Sequence, residues 1–213
     1  MRLRPCRRIA LDVETTGVNA RRMPTQGGDE VVSLSIVNED GEVLFDALFR
    51  PMFHSSWSDA MRVHGIAPEQ VAECSPFADY VDAVQEVIAF ADELVVYNAR
   101  FDLAFLMRAG VCFDGVVIVD TMLDFSAVYA EYDGYHQNAR WQKLEKALLC
   151  MDIAREGRAH SSASDARAAL QVQHKLDSGW VREGHVPRKA DAVALAQRRA
   201  RRREAALQLG YEL

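Results

Sequence analysis

Residues 9–17 read Ile-Ala-Leu-Asp-Val-Glu-Thr-Thr-Gly, and they form the first strand signal of the chain. A short apolar run that ends in polar residues is typical of a buried β-strand. Side chains two residues apart in a strand point to the same face, so Asp12 and Glu14 are predicted to lie side by side. Two carboxylates this close repel each other and lose hydration unless a cation compensates. Taken alone, this stretch is better explained as a strand end that exposes two acids to water, and a metal site is the alternative.

A third acid follows another apolar run at residues 94–97. Phe101 and Phe105 recur at helical spacing, and Asn98 is predicted to cap the helix that contains them. Asp102 falls in the first turn of this helix, where the helix dipole favours an acid. Asp102 is therefore either a partner of the dipole or a further carboxylate of the same metal site.

A histidine and a fourth acid lie near the end of the chain. His160 is predicted to lie at or before the start of a helix over residues 161–177, and Asp165 falls in the early part of that helix. Taken alone, a surface histidine and an acid near a helix start are ordinary features. Four acids and one histidine in this order instead suggest carboxylates that hold divalent metal, with a histidine placed to take a proton.

The ordered set Asp-x-Glu, Asp and His-x-x-x-x-Asp resembles the DEDDh family of 3′-to-5′ exonucleases. The resemblance covers roughly residues 7 to 176 and extends beyond the acids. Three further segments carry it, at residues 63–69 (VHGIAPE), 119–123 (VDTML) and 141–144 (WQKL). Two positions depart from the family pattern, since Tyr97 stands where a histidine is usual and Ser33 where a glutamate is common. These departures bear on substrate geometry and preference more than on catalysis.

The resemblance implies a metal-dependent enzyme that removes nucleoside 5′-monophosphates from single-stranded DNA or RNA 3′ ends by two-metal-ion hydrolysis. It implies His160 as the general base. The implied ligands of two Mg²⁺ or Mn²⁺ ions are Asp12, Glu14, Asp102 and Asp165. The implied substrate-binding residues are Thr15, Thr16, His64 and Phe101. A catalytically silent module that binds nucleic acid or protein on the same scaffold is the alternative, and the presence of all five catalytic candidates argues against it.

The order of predicted elements gives an α/β fold. Strands are predicted at residues 8–13, 31–37, 43–49, 94–97 and 116–119. An Asp-Gly turn at residues 38–41 predicts a hairpin, and the last two strands are predicted to be parallel with a helical crossover. Helices are predicted near residues 57–63, 77–92, 101–109, 121–130, 140–150 and 161–177. This pattern predicts a ribonuclease H-like, mixed five-stranded sheet flanked by helices.

Composition narrows the class of protein. A chain of 213 residues with 49% hydrophobic residues can bury a sizeable core in one domain. No apolar run approaches the ~18–20 residues needed to cross a bilayer. Acids interrupt the stretch that a signal peptide would need. The four widely spaced cysteines indicate neither a zinc site nor a disulfide framework, so we expect a reduced, cytoplasmic compartment and no membrane partner.

The net charge of −6 is unevenly distributed. Residues 179–213 contain eight Lys or Arg and four acids, so they carry +4 and the remainder carries −10. We therefore predict an exonuclease domain at residues 1–178 and a basic C-terminal helical extension at 179–213. Its helix is predicted over residues 189–209, capped by Asp191 and stopped by Gly210. A solvated face is the ordinary interpretation of its arginines, and contact with nucleic acid or a protein partner is the alternative.

Overall fold

The fold is described by a computed structural model over residues 4–132 and 139–212. The strands are β1 (Arg4–Pro5), β2 (Arg8–Thr15), β3 (Val31–Asn38), β4 (Val43–Leu48), β5 (Glu93–Val96), β6 (Val117–Asp120) and β7 (Tyr211–Glu212). The α-helices are α1 (Ser58–His64), α2 (Pro68–Val71), α3 (Val81–Phe90), α4 (Ala99–Arg108), α5 (Thr121–Tyr129), α6 (Leu144–Cys150), α7 (Ser162–Asp177) and α8 (Lys189–Leu209).

Five strands form one mixed sheet in the order β4-β3-β2-β5-β6. The pairs β4–β3 and β3–β2 are antiparallel, whereas β2–β5 and β5–β6 are parallel. The predicted α/β, ribonuclease H-like sheet is confirmed. The order places β2 at the centre, so the acids of this strand lie in the middle of the sheet.

The two faces of β2 are buried in different ways. Leu11 and Val13 point into the largest core cluster of the described residues. Ala10 points to the opposite face, where it packs with Ala166 and Ala169 of α7. Small side chains on both sides let the helix lie close to the sheet. Because side chains alternate along a strand, Asp12 and Glu14 share the face that α7 covers.

The predicted hairpin turn is present between β3 and β4. Gly41 adopts a φ of 80°, a conformation that favours glycine, and its N–H donates to the carbonyl of Asn38. The Asn38 side-chain oxygen accepts from the backbone N–H groups of Asp40 and Glu42. This local network fixes the register of the β3–β4 pair.

The helix predicted at residues 189–209 is present, but its predicted cap is wrong. Gly210 ends α8 as expected, with a φ of 76° and its N–H donating to Ala206. Arg188 occupies the N-cap position without a side-chain hydrogen bond. Asp191 is instead buried in the first turn and accepts a hydrogen bond from the N–H of Ala139. Its carboxylate therefore holds a distant segment of the chain and does not cap the helix.

The arginines of α8 are not all solvated. Arg198 Nε donates to Asp124 Oδ1 at 2.6 Å. Arg202 binds both oxygens of the fully buried Glu93, at 2.5 and 2.8 Å, and both oxygens of Asp177. The interpretation of the basic cluster as a solvated face is therefore wrong for these two residues, which attach α8 to the body. Within the described residues, no helix has both the length and the apolar character needed to span a membrane.

Candidate active site

Five side chains from three parts of the chain converge beside the central strand. Asp12 and Glu14 lie on β2, Asp102 in the first turn of α4, and Asp165 in the first turn of α7. The N–H of Val13 donates to Asp102 Oδ1 at 3.0 Å, which fixes that carboxylate against the strand. One ligand atom each from Glu14, His160 and Asp165 lies within 4.8 Å of the others. The structure thus brings together the five residues that the sequence singled out.

His160 lies in the loop just before α7 and is tied to the helix that follows it. Its backbone has a φ of 56°, which non-glycine residues rarely adopt. Its N–H donates to Asp165 Oδ2 at 3.2 Å, and its Nδ1 lies 4.0 Å from the same oxygen. The imidazole is 44% exposed. Asp165 therefore holds the histidine at the cluster while the ring remains accessible to water.

The carboxylates are electrostatically crowded. Burial raises the pKa of Asp12 well above its usual value, and the charges of Asp102 and Glu14 raise it further. Burial likewise raises the pKa of Asp102, against the hydrogen bond from Val13. Bound divalent cations offset the repulsion between buried carboxylates, and carboxylate oxygens are ligands that suit Mg²⁺ and Mn²⁺. The cluster therefore fits these ions.

Glu14 makes the stability of the metal-free protein depend on pH. Burial raises its pKa from 4.5 to about 7, although Arg158 opposes the shift. The folded state therefore binds more protons than the unfolded state between these values, and stability should fall as pH rises from about 4.5 to 7. In EDTA, we expect Glu14→Gln to be more stable than wild type at pH ~8 by about 1–3 kcal/mol, and close to wild type at pH ~4. Urea denaturation across this range measures the difference, and a pH-independent difference would contradict the assignment.

The sequence reading missed two arginines in the loop before His160. The Arg155 guanidinium contacts the carboxylate of Asp165 and lies 3.2 Å from Glu145 Oε1. Arg158 donates to the backbone carbonyl of His64. The sequence does show two arginines within the five residues before His160, which could have indicated their proximity to the site. Their charges partly offset the acidic cluster, since Arg155 lowers the pKa of Asp12 and Arg158 that of Glu14.

His64 was expected to contact the substrate, but both of its ring nitrogens are used within the chain. Nε2 donates to the Thr15 carbonyl at 3.2 Å, and Nδ1 accepts from the Ile66 N–H at 3.0 Å. Burial lowers the pKa of His64, and the charges of His160 and Arg158 lower it further. A neutral His64 therefore ties α1 to the end of β2. It also lines a cavity of about 520 Å³ next to His160.

The hydroxyls of the two threonines after Glu14 are also engaged. Thr15 Oγ1 donates to the Gly17 carbonyl at 2.5 Å. Thr16 Oγ1 donates to Asp29 Oδ1 and accepts from the N–H of Glu30. These bonds fix the loop that leaves β2. A role of Thr15 and Thr16 in substrate binding remains a prediction.

Phe101 packs against the body of the protein beside Asp102. Its ring lies 5.1 Å from that of Phe105, centroid to centroid, and it flanks the main core cluster while remaining half-buried. Its contact with a terminal nucleotide likewise stays a prediction.

An open cleft of about 840 Å³ lies over the acidic cluster. Its lining includes Asp12, Tyr97, Trp141, His160 and Asp165. Trp141 is 58% exposed and offers an aromatic surface on which a base can stack. Tyr97, the first departure from the family pattern, donates its hydroxyl to the Gln142 carbonyl at 3.0 Å. Tyr97 therefore helps to hold the segment that carries Trp141.

Ser33, the second departure, supports the start of α7. In the β2–β3 pair it lies opposite Glu14. Its Oγ lies 2.8 Å from the Oγ of Ser162, the first residue of α7, and Ser162 Oγ lies 2.6 Å from Ser35 Oγ. This buried group of serines attaches the helix that carries Asp165 to the strand next to β2.

The central mixed sheet, with a carboxylate cluster beside its middle strand, is the ribonuclease H-like arrangement. The model of a protein family described as Exonuclease matches residues 9–173, and the chain belongs to this family. The DNA polymerase III subunit epsilon-like protein of Rhodobacter capsulatus is 36% identical over 178 residues, which cover 79% of this chain and 23% of that protein. The RNA exonuclease 4 of Mycosarcoma maydis is 27% identical over 182 residues, or 81% of this chain and 43% of that protein. The chain spans less than half the length of these curated relatives.

Solved structures share the fold at low sequence identity. An exonuclease I from Methylocaldum szegediense superposes with a TM-score of 0.60 at 18% identity, over 82% of this chain and 41% of that one. Exonuclease X, solved in complex with 5′ overhanging duplex DNA, gives a TM-score of 0.52 at 19% identity, over 83% of this chain and 95% of that one. The resemblance to the DEDDh exonucleases is thus confirmed at the level of the family.

Proposed function

We propose that this chain is a metal-dependent 3′-to-5′ exonuclease that releases nucleoside 5′-monophosphates from single-stranded nucleic acid. The observation that carries the proposal is the convergence of Asp12, Glu14, Asp102 and Asp165 beside an accessible histidine. Relatives named as a polymerase subunit and as an RNA exonuclease support a nucleic acid substrate.

The four carboxylates would hold two Mg²⁺ or Mn²⁺ ions. We assign Asp12, Glu14 and Asp165 to one ion, with Asp12 also reaching a second that Asp102 supports directly or through water. When bound, such ions lower the pKa of an attacking water and stabilise the leaving oxygen. The side chains contribute by holding their oxygens in place, since Asp102 is fixed by the Val13 N–H and Asp165 by the His160 N–H.

His160 would accept the proton of the attacking water. Nδ1 lies 4.0 Å from Asp165 Oδ2, so Nε2 would be the nitrogen that accepts this proton. The water oxygen bonds to the terminal phosphorus, and the bond between that phosphorus and the 3′-oxygen of the preceding nucleotide breaks. The 3′-oxygen takes up a proton, leaving a shortened strand with a 3′-hydroxyl and a nucleoside 5′-monophosphate.

The polarity of the reaction tests this proposal. A 5′-labelled single strand should shorten stepwise, and a fully paired blunt end should react more slowly because its terminal pairs must first fray. A bulky group on the 3′-hydroxyl should stop the reaction, whereas the same group at the 5′ end should leave it unchanged. Gel analysis of the products resolves these cases. Cleavage of a circular single strand would show an endonuclease, and binding without hydrolysis would support the silent module instead.

A further inference from the structure

Five arginines lie within six residues of α8, and they fall into two groups. Arg198 and Arg202 are held by carboxylates of the body, as described above. Arg201 and Arg203 are exposed and make no side-chain hydrogen bond or ion pair within the described residues. Arg199 donates only to the backbone carbonyl of Leu176, at 3.2 Å. Arg199, Arg201 and Arg203, called the arginine surface here, therefore form no ion pair with a carboxylate of the described residues.

The arginine surface flanks two open cavities. One, of about 330 Å³, lies between α8 and the edge strand β6, with Arg199 and Arg201 on one wall and residues 117–120 on the other. The second, of about 280 Å³, is lined by Arg199 and Arg203 together with the Arg202–Asp177 pair. Because Arg198 and Arg202 fix the helix to the body, the unpaired guanidinium groups project from a rigid support.

The groove beside β6 reaches the neighbourhood of the catalytic cluster. Its lining includes Asp120, whose Oδ2 accepts from the N–H of Ala99 at 3.1 Å. Ala99 begins the helix that carries Asp102. Met122, in the first turn of α5, lines the catalytic cleft, while Asp124, two residues on and ~3 Å along the helix axis, lines the groove. Asp177, which shares the second cavity with Arg199 and Arg203, lies twelve residues and ~18 Å along α7 from the catalytic Asp165, so a strand must extend beyond the cleft to reach the arginine surface.

Charge identifies the occupant. Residues 1–178 carry −10, so a polyanion is repelled by most of the body and attracted by α8. Guanidinium groups bind phosphate oxygens through paired N–H donors, and Arg199 and Arg203 lie four residues apart, where like charges destabilise a helix until an anion binds. We propose that the arginine surface binds the phosphate backbone of the substrate strand upstream of the 3′ end held in the cleft. This inference rests on the proposed function and adds a second contact to it.

The test compares strands that differ only in length. In Arg201→Gln/Arg203→Gln, we expect the Kd for a single strand of about 30 nucleotides to rise roughly 10-fold or more at low salt, with the slope of log Kd against log salt reduced by about one to two. Hydrolysis of a trinucleotide, which is too short to reach from the cleft to the arginine surface, should be unchanged. Binding is measured by fluorescence anisotropy in EDTA, so this readout does not require catalysis. Arg21→Gln/Arg22→Gln, which makes the same charge change at two exposed arginines of the loop between β2 and β3, is the matched control.

Each outcome decides the inference. Weaker binding of the long strand with unchanged hydrolysis of the trinucleotide supports it. Loss of trinucleotide hydrolysis to the same extent, or an equal loss of long-strand affinity in the control variant, overturns it as a specific contact. Wild-type behaviour of the double variant also overturns it and leaves the surface to an acidic protein partner. A wild-type protein that binds the long strand through this surface but hydrolyses neither substrate would overturn the proposed function and not the contact.

Discussion

Asp12→Asn should lower the hydrolysis rate by about 10³-fold or more. The reason is that Asp12 is assigned to both metal ions, each of which contributes several kcal/mol to stabilising the developing charge, at 1.36 kcal/mol for each tenfold in rate. The same change should raise the melting temperature of the metal-free protein. Asn carries no charge, whereas burial and the charges of Asp102 and Glu14 disfavour the Asp12 carboxylate.

Two measurements are needed for this variant. Single-turnover hydrolysis with Mn²⁺ gives the catalytic loss, and thermal unfolding in EDTA gives the stability. Asp40→Asn, at an exposed acid in the β3–β4 turn, is the control and should change neither. Near-wild-type hydrolysis by Asp12→Asn would remove this residue from the metal site. A lower melting temperature in EDTA would contradict a repulsive acidic cluster.

His160→Ala should lower turnover by roughly 10²–10⁴-fold, the usual range for losing a general base. Its affinity for Mn²⁺ or Mg²⁺ should change little. The proximity of His160 to Glu14 and Asp165 also suits a three-ligand zinc set, so the role of the imidazole needs a direct test. Oxygen ligands suit Mg²⁺, which favours the base over the ligand.

Calorimetry separates the two roles of His160. Titration of Mn²⁺ into the variant should give nearly the wild-type affinity, while the hydrolysis rate falls. His185→Ala, at an exposed histidine whose ring contacts the carbonyl of Glu183, is the control for loss of an imidazole. Loss of Mn²⁺ binding in His160→Ala would instead identify the histidine as a ligand.

The sheet could be predicted because its signals are local. Alternating and apolar runs predicted five strands, with bounds within a few residues of those in the structure. The Asp-Gly turn predicted the antiparallel pair β3–β4. The convergence of the acids could be expected for a similar reason. Asp12 and Glu14 are two residues apart on a central strand, and Asp102 follows the adjacent parallel strand β5. Elements that are neighbours in a sheet bring their ends together.

The contacts of α8 could not be predicted, because their partners are far away in sequence. Arg198 and Asp124 are separated by 74 positions, and Arg202 and Glu93 by 109. A run of arginines taken alone indicates a solvated face, whereas two buried carboxylates, Asp124 and Glu93, each bind one of these arginines. The predicted cap Asp191 failed for the same reason, since its partner Ala139 lies 52 positions away.

His64 is a predicted substrate contact that also holds the fold together. The family resemblance implied a contact with the terminal nucleotide, and the structure shows two hydrogen bonds that join the histidine to Thr15 and Ile66. Because its ring also lines the cavity next to His160, the contact with the terminal nucleotide stays a prediction. Arg155 and Arg158 escaped notice because basic residues in a loop have no periodic pattern, and only the fold brings them to the carboxylates.

Metal dependence is the most direct test of the proposed chemistry. Protein freed of metal with EDTA should leave a 5′-labelled single strand intact, because four crowded carboxylates alone provide neither an activated water nor a stabilised leaving group. Added Mg²⁺ or Mn²⁺ should restore stepwise shortening from the 3′ end to mononucleotides. Full hydrolysis in EDTA, or no hydrolysis of DNA or RNA with either metal, would contradict a metal-dependent exonuclease.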